Sequence, residues 1–353
     1  MEKPDIKSIA SNLIALSIVF LVITLLLIVV GSSPIEVYFA LFDGAFGNID
    51  RFARTLLTIS ILCISAFALV VTFTGGLWNI GIEGQLVAGS IGATLIARSF
   101  LGDSSVAPIL EIVVGSCCGS LIAILCGLLK VKTKVHEIFG GLGLDFVASG
   151  TIVYLVIGPW KREGIASTSG TDLFPVSSWI QGLGENGFPI WPIIFAAVVG
   201  VFLLFCFKRT AFGLRLKAVG SNVDASQRFG IQPNTYVLYA FALAGAIGGI
   251  AGVIQATAVY HKLVPFISGG YGFLGILIAL VSSKNIVLVV LVSTLFGCLL
   301  IGGTQLQLKL GMHSSLSGII QGLLVLTWML IKASKIDRKI TNNLADWGKF
   351  GKY

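Results

Sequence analysis

The sequence predicts an all-α integral membrane protein with about ten transmembrane helices. Of its 353 residues, 56% are hydrophobic and 11% charged, and the mean hydropathy is +0.96, whereas a soluble domain carries roughly 25% charged residues. Apolar runs of spanning length recur along the whole chain. The 43 glycines supply the small side chains that let membrane helices approach closely.

The apolar runs lie at 9–31, 53–73, 82–100, 106–129, 138–158, 190–207, 235–259, 270–283, 285–303 and 315–333. The first holds about 22 residues, Ile9 to Val30, enough to span a bilayer. The apolar region of a cleaved signal peptide is shorter, about 7–15 residues, so this run reads as a retained first helix. The eighth run is short and reads as broken or re-entrant. Threading from a cytoplasmic N-terminus puts 1–8, 74–81, 130–137, 208–234, 284 and 334–353 inside. These segments and their flanks hold all 24 basic residues except Arg51, Arg54, Arg98, Lys161, Arg162, Lys262 and Lys309. That bias places both termini in the cytoplasm, and it accounts for the net charge of +8. No basic patch is interleaved with aromatics, which excludes nucleic acid as a partner; membrane lipid is the medium. Residues 1–353 read as one transmembrane domain.

Spaced glycines at Gly115/Gly119, Gly245/Gly249, Gly248/Gly252 and Gly318/Gly322 mark candidate helix contacts. Six cysteines fall inside apolar runs without metal-ligand spacing and read as packing residues. His136, His261 and His313 lie far apart, so no metal site is expected.

The most informative stretch is 74–93, TGGLWNIGIEGQLVAGSIGA. A Gly-rich polar turn with Trp78, Asn79, Glu83 and Gln85 separates two apolar runs. Such groups are tolerated at membrane depth only against protein or a water-filled path, so the turn reads as part of a translocation path, as a gate or packing turn at its cytoplasmic side. Asp145 is the other carboxylate expected at depth; with Lys132 and Lys134 close in sequence, it reads as an interfacial group near a helix start. The segments 67–89 and 266–280 both place a Gly pair and an aromatic before an apolar helix, which is the pattern of an inverted repeat around a midplane pathway. Tyr271 and Phe273 in the second segment join the gate or lumen candidates.

Two loops are long. The outside loop 159–189 carries Trp160 and Trp179, suited to an interfacial belt or to receiving a partner. The inside loop 208–234 is too polar to span. Within it, 222–229 reads as a short helix capped by Ser221 or Asn222, with Ala225 and Phe229 on one face, bracketed by Gly213, Gly220 and Gly230 and stopped by Pro233. A rigid helix held this way suits docking on another protein. No G-x-x-x-x-G-K-[ST] occurs, nor any set of nucleophile, histidine and carboxylate. A transport subunit without its own ATP-hydrolysing site, rather than an enzyme, is expected, and no cofactor.

The turn 75–85 (GGLWNIGIEGQ), the loop 213–231 (GLRLKAVGSNVDASQRFGI) and the run 269–280 (GGYGFLGILIAL) resemble the permease subunits of bacterial ABC importers of the ribose/nucleoside/branched-chain amino acid superfamily. The resemblance covers about 10–333. WNIGIEGQ is similar to the larger permease of nucleoside importers that work with a basic-membrane-protein-type lipoprotein; the G-x-D-L-S-x-G turn usual in ribose and galactose permeases is absent. The resemblance implies a type II importer arrangement with four consequences. A second, smaller homologous permease completes the pore, and an ABC ATPase supplies energy. An extracytoplasmic substrate-binding lipoprotein delivers the solute. The segment 209–231, with Gly213, Arg215, Gly220, Ser221, Asn222, Ala225 and Gly230, couples to the ATPase. The family pattern has an amide near Asp145, so this chain departs from it there. The alternatives are a ribose- or galactose-type sugar permease and, from another class, an ion-coupled secondary transporter using Glu83 and Asp145.

Overall fold

The α-helices run in the order α1 (Ile6–Val29), α2 (Pro34–Phe46), α3 (Ile49–Thr74), α4 (Ile82–Ala97), α5 (Ala107–Thr133), α6 (Glu137–Ile157), α7 (Ile190–Arg209), α8 (Ala211–Ser221), α9 (Val223–Arg228), α10 (Pro233–Ile254), α11 (Tyr271–Val281), α12 (Ile286–Leu310) and α13 (Ser315–Ser334). A π-helical turn, Gln255–Tyr260, extends α10. The computed structural model describes residues 6–162, 169–183, 187–313 and 315–334. Lys3, the tail 335–353 and parts of the 159–189 loop lie outside the described residues.

All ten predicted apolar runs fall on helices, but they are not ten full spans. Among the described residues, seven helices are long and apolar enough to cross a membrane: α3, α5, α6, α7, α10 with its π turn, α12 and α13. The count is eight if residues 17–29 and α2, bent by 112°, form one broken span. α4 and α11 are apolar but have only 16 and 11 residues, about 24 and 16 Å at 1.5 Å per residue. Both are shorter than the roughly 30 Å hydrocarbon core.

Helices α2 and α8 fall where the sequence predicted loops. In α2, Val37, Ala40, Leu41, Gly44 and Ala45 form a buried stripe at helical spacing, diluted in sequence by Glu36 and Asp43. In α8, Gly213, Leu216 and Val219 are the buried stripe, so Gly213 and Gly220 lie within a helix rather than bracketing one. Pro233 is at the start of α10, where its missing N–H costs nothing; it begins a helix rather than stopping one.

The described contacts fall into two compact units. One holds the described residues up to Phe52 and from Leu295 onward. Its first turn is made by Gly31 at φ +80° and Pro34 at the head of α2. The amides of Gly31 and Ser32 bond back to the carbonyls of Ile28 and Leu27, both at 3.0 Å, closing α1 in the left-handed manner glycine permits. Asp43 on α2 binds Arg51 at 2.8 Å and Lys309 at 2.7 Å.

The other unit, Ala53–Thr294, contains the candidate site. α4, α5 and α10 pack through glycines with no room for side chains. A Cβ on Gly119 would meet the backbones of Gly245 and Gly249, one on Gly249 the Gly115 carbonyl, and one on Gly252 the Leu86 carbonyl. Three of the four predicted glycine pairs therefore lie at helix contacts. Gly318/Gly322 does not: nothing lies within 4 Å of a Cβ at either position. α3 is buried along most of its length. Two of its buried hydroxyls bond within the helix, Ser65 to the Ile61 carbonyl at 2.9 Å and Thr72 to that of Leu69 at 3.1 Å, which satisfies them without a partner helix.

Candidate functional site

Residues 75–85 occupy the junction of α3, α4, α6, α8 and α11. Gly76, at φ +73°, ends the turn after α3. A Cβ there would lie 3.2 Å from the Gly220 carbonyl oxygen and 3.3 Å from its Cα, and one on Gly75 would lie 2.9 Å from Leu216 Cδ1. The polar turn thus rests backbone to backbone on α8. On its other side, a Cβ on Gly81 would lie 2.9 Å from the Gly141 Cα and one on Gly84 2.8 Å from the Asp145 Cα. The glycine-rich start of α6 is therefore where α4 and α6 meet.

The predicted gate residues divide by environment. Asn79 and Gln85 are fully buried at 0% exposure. They pair reciprocally: Asn79 Nδ2 donates to Gln85 Oε1 at 3.2 Å, and Gln85 Nε2 donates to Asn79 Oδ1 at 2.8 Å. Trp78 is 45% and Phe273 44% exposed. The Trp78 ring packs against Phe73 at 5.4 Å between centroids. The Trp78 backbone N–H donates to Glu137 Oε1 at 3.4 Å, and Glu137 Oε2 accepts from Lys130 Nζ at 2.5 Å. Tyr271 hydrogen-bonds Thr58 on α3.

Glu83 stands at the centre. It is 6% exposed and lies in the first turn of α4. Its Oε1 accepts the N–H of Gly270 at 2.9 Å and its Oε2 that of Gly272 at 2.7 Å. One carboxylate thus answers the amides at the head of α11 while sitting in the positive end of α4's own dipole. Gly269 and Gly270, at φ +57° and +76°, shape the approach, and a Cβ on Gly272 would strike Glu83. After α4 comes Gly102, whose carbonyl accepts the hydroxyls of Ser177 at 2.7 Å and Ser178 at 3.0 Å from the 159–189 loop. After α11 comes the turn 282–285, which lines a cleft with Gly220 and Lys217 of α8.

Asp145 has no ion-pair partner among the described residues, and its Oδ1 is buried without a hydrogen bond. The nearby lysines of the sequence do not neutralise it; Lys130 is held by Glu137 instead. Glu111 and Gln255 are among the buried polar groups that escaped the sequence reading. Glu111 on α5 is fully buried, as is Gln255, which opens the π turn. A lone carboxylate or amide inside an apolar run was the available signal. The 159–189 loop also anchors at the π turn: Trp179 stacks on His261 at 3.9 Å, and the Ile180 N–H donates to the Thr257 carbonyl at 3.3 Å.

The predicted coupling residues take three roles in the structure. Arg215, Ser221, Asn222 and Ala225 line one groove between α8 and α9 with exposed Phe229. Asn222 caps α9, its Oδ1 accepting the Ala225 N–H at 2.9 Å. Arg215 also donates to the Tyr236 hydroxyl of α10 at 3.1 Å. Gly213 lets α8 fold tightly onto the end of α7, where a Cβ would meet the Cys206 carbonyl. Gly230, at φ +77°, makes the turn after α9.

The chain is 28% identical to the guanosine ABC transporter permease protein NupP of Bacillus subtilis, over 86% of this chain and 87% of that protein. It is 26% identical to the nucleoside ABC transporter permease protein NupB of Lactococcus lactis subsp. cremoris, over 82% of both. With the glucose ABC transporter permease protein TsgB13 of Haloferax volcanii it shares 28% identity over 85% of this chain and 81% of that one. A family profile described as branched-chain amino acid transport system / permease component matches residues 51–329, and the chain belongs to that permease family.

Proposed function

We propose that this chain is the larger permease of an ATP-driven nucleoside importer. The nucleoside assignment is supported by relatives named as guanosine and nucleoside permeases that align along most of both chains. A sugar is the second reading, favoured by the glucose permease at the same identity as the guanosine one. A second homologous permease completes the pore, an ABC ATPase docks on α8 and α9, and an extracytoplasmic binding lipoprotein delivers solute. Both termini are cytoplasmic. α4 and α11 are the broken helices of an inverted repeat, which with α1 and the seven spanning helices give ten membrane-embedded helices.

The observation that carries the mechanism is the backbone contact of Gly220 with Gly76. A push on the α8–α9 groove by the closing ATPase passes through this contact into the 75–85 turn. From there it reaches Glu83 and the heads of α4 and α11, without a compressible side chain between. Backbone contacts of this kind transmit displacement because packed interiors do not deform smoothly. The Asn79–Gln85 pair holds the turn closed. When parted, its amides and the faces of Trp78 and Phe273 offer hydrogen bonds and stacking to a ribose and a base.

The test is reconstitution of the chain with its ATPase and second permease in vesicles. ATP-dependent uptake of nucleoside, not competed by glucose or ribose, is expected. Uptake by the isolated chain under an ion gradient, without ATPase, would overturn the reading.

A further inference from the structure

The face carrying α8 has a second cavity, which meets the α8–α9 groove at Ser221. It is a cleft of about 550 Å³ between the end of α7, α8 and the 282–285 turn. Lys208, Lys217 and Lys284 line it from these three segments, and no carboxylate does. Lys217 donates to the Phe207 carbonyl at 3.0 Å. Ser283 and Lys284 adopt φ +49° and +66°, a left-handed pair at the wall of the cleft. Such backbone is costly for non-glycine residues and clusters at functional sites.

The cleft does not end in protein. Leu204, Ile286 and Val287 line it and also line an adjoining groove of about 480 Å³ between α3, α7 and α12. That groove is walled by side chains such as Ile59, Ala197, Val201 and Val290. The Ser60 hydroxyl within it is already satisfied by the Leu56 carbonyl at 2.8 Å. A cationic mouth thus opens directly onto an apolar channel along three membrane-spanning helices.

We infer that this composite cavity holds one anionic phospholipid, its phosphate among Lys208, Lys217 and Lys284 and an acyl chain in the α3–α7–α12 groove. Each half of the cavity matches one half of the ligand. Clustered lysines at a membrane boundary attract anionic headgroups, and the groove returns apolar surface to hydrocarbon. A free phosphate would satisfy only the mouth, and a zwitterionic lipid would fill the groove but bring its own cation to the mouth, with no net negative charge for the lysines. The bound headgroup ties the end of α7 to α8 and to the turn leading into α12. This inference needs the chain to span a membrane and does not depend on which solute it carries.

Native mass spectrometry of the full chain, purified in detergent and titrated with phosphatidylglycerol or phosphatidylcholine, tests it. Wild type should retain one phosphatidylglycerol in preference to phosphatidylcholine. The double variant Lys208→Gln/Lys284→Gln should lose that preference by about thirtyfold and keep its phosphatidylcholine binding. Ala197→Trp, which fills the groove, should weaken retention of both lipids at unchanged lysine content. Inorganic phosphate at equal concentration should not displace the lipid. Equal retention of the two lipids by wild type, or an unchanged preference in the lysine variant, would overturn the proposal. Full displacement by phosphate would reduce the cleft to a simple anion site and overturn it too. The lysines are exposed, so the double variant stays informative even if the tryptophan variant does not fold.

Discussion

Glu83 Oε2 accepts the backbone N–H of Gly272 at 2.7 Å across 189 positions of sequence, and with the Gly270 N–H on Oε1 it joins the heads of α4 and α11. A carboxylate is the side chain that accepts two amides at once with a charge matched to both helix dipoles. Glu83→Gln presents an NH2 to one of the two N–H groups. Loss of one charge-assisted bond and an opposed donor should cost about 2–3 kcal/mol, read as a lowered unfolding temperature in detergent together with loss of uptake. An unchanged melting temperature would show that the α4–α11 junction does not rely on the carboxylate.

The Asn79–Gln85 pair predicts non-additivity. Asn79→Ala or Gln85→Ala alone leaves a buried amide without its partner, at about 1–3 kcal/mol. The double variant removes both amides and should cost less than the sum, by about 1 kcal/mol or more. A double-mutant cycle on thermal stability measures this, and strict additivity would dissolve the pair as an energetic unit.

Gly220→Val puts a branched side chain into the backbone of residues 74–76. Overpacking here should cost about 1–3 kcal/mol and part α8 from the gate turn. In the reconstituted importer, ATP hydrolysis should persist while uptake falls at least tenfold. Parallel loss of both activities would point to a docking defect, and normal uptake would remove the contact from the coupling route.

Phe229, which caps the end of α9, is 85% exposed, so Phe229→Ala leaves the fold of the isolated chain unchanged. If the groove receives the ATPase, an aromatic anchor of this kind is worth about 2 kcal/mol, a drop of roughly thirtyfold in affinity for the purified ATPase. Affinity equal to wild type would move the docking surface elsewhere.

Asp145 lies against Gly84 with a buried, unbonded Oδ1 and, among the described residues, no ion-pair partner. Asp145→Asn removes the need to bury a carboxylate. The chain should become more stable by about 1 kcal/mol, measured by thermal unfolding, with uptake retained. A large loss of uptake at normal stability would instead assign the carboxylate a role in transport.

Much of this architecture was legible along the chain. The apolar runs fall on helices because lipid leaves the backbone no partner but itself. The short α9 was legible from Asn222 and Gly230, since capping and left-handed turns are local chemistry. α2 and α8 were not, because their buried stripes are short and interrupted by charge, and only neighbouring helices make them pay. The glycines of α5 and α10 announced close contact; their partners had to be seen. Gly318 and Gly322 carry the same spacing with nothing against them.

The polar turn 75–85 shows where the division lies. By itself the sequence determined that Trp78, Asn79, Glu83 and Gln85 interrupt the apolar runs and that such groups need protein or water around them. Tertiary structure alone decided which: Asn79 closes on Gln85, Glu83 on the head of α11, and Gly76 on Gly220. Residue type sets the cost of leaving a polar group in hydrocarbon, but the partner that removes that cost comes from another helix, and only the packed backbone fixes how closely it approaches.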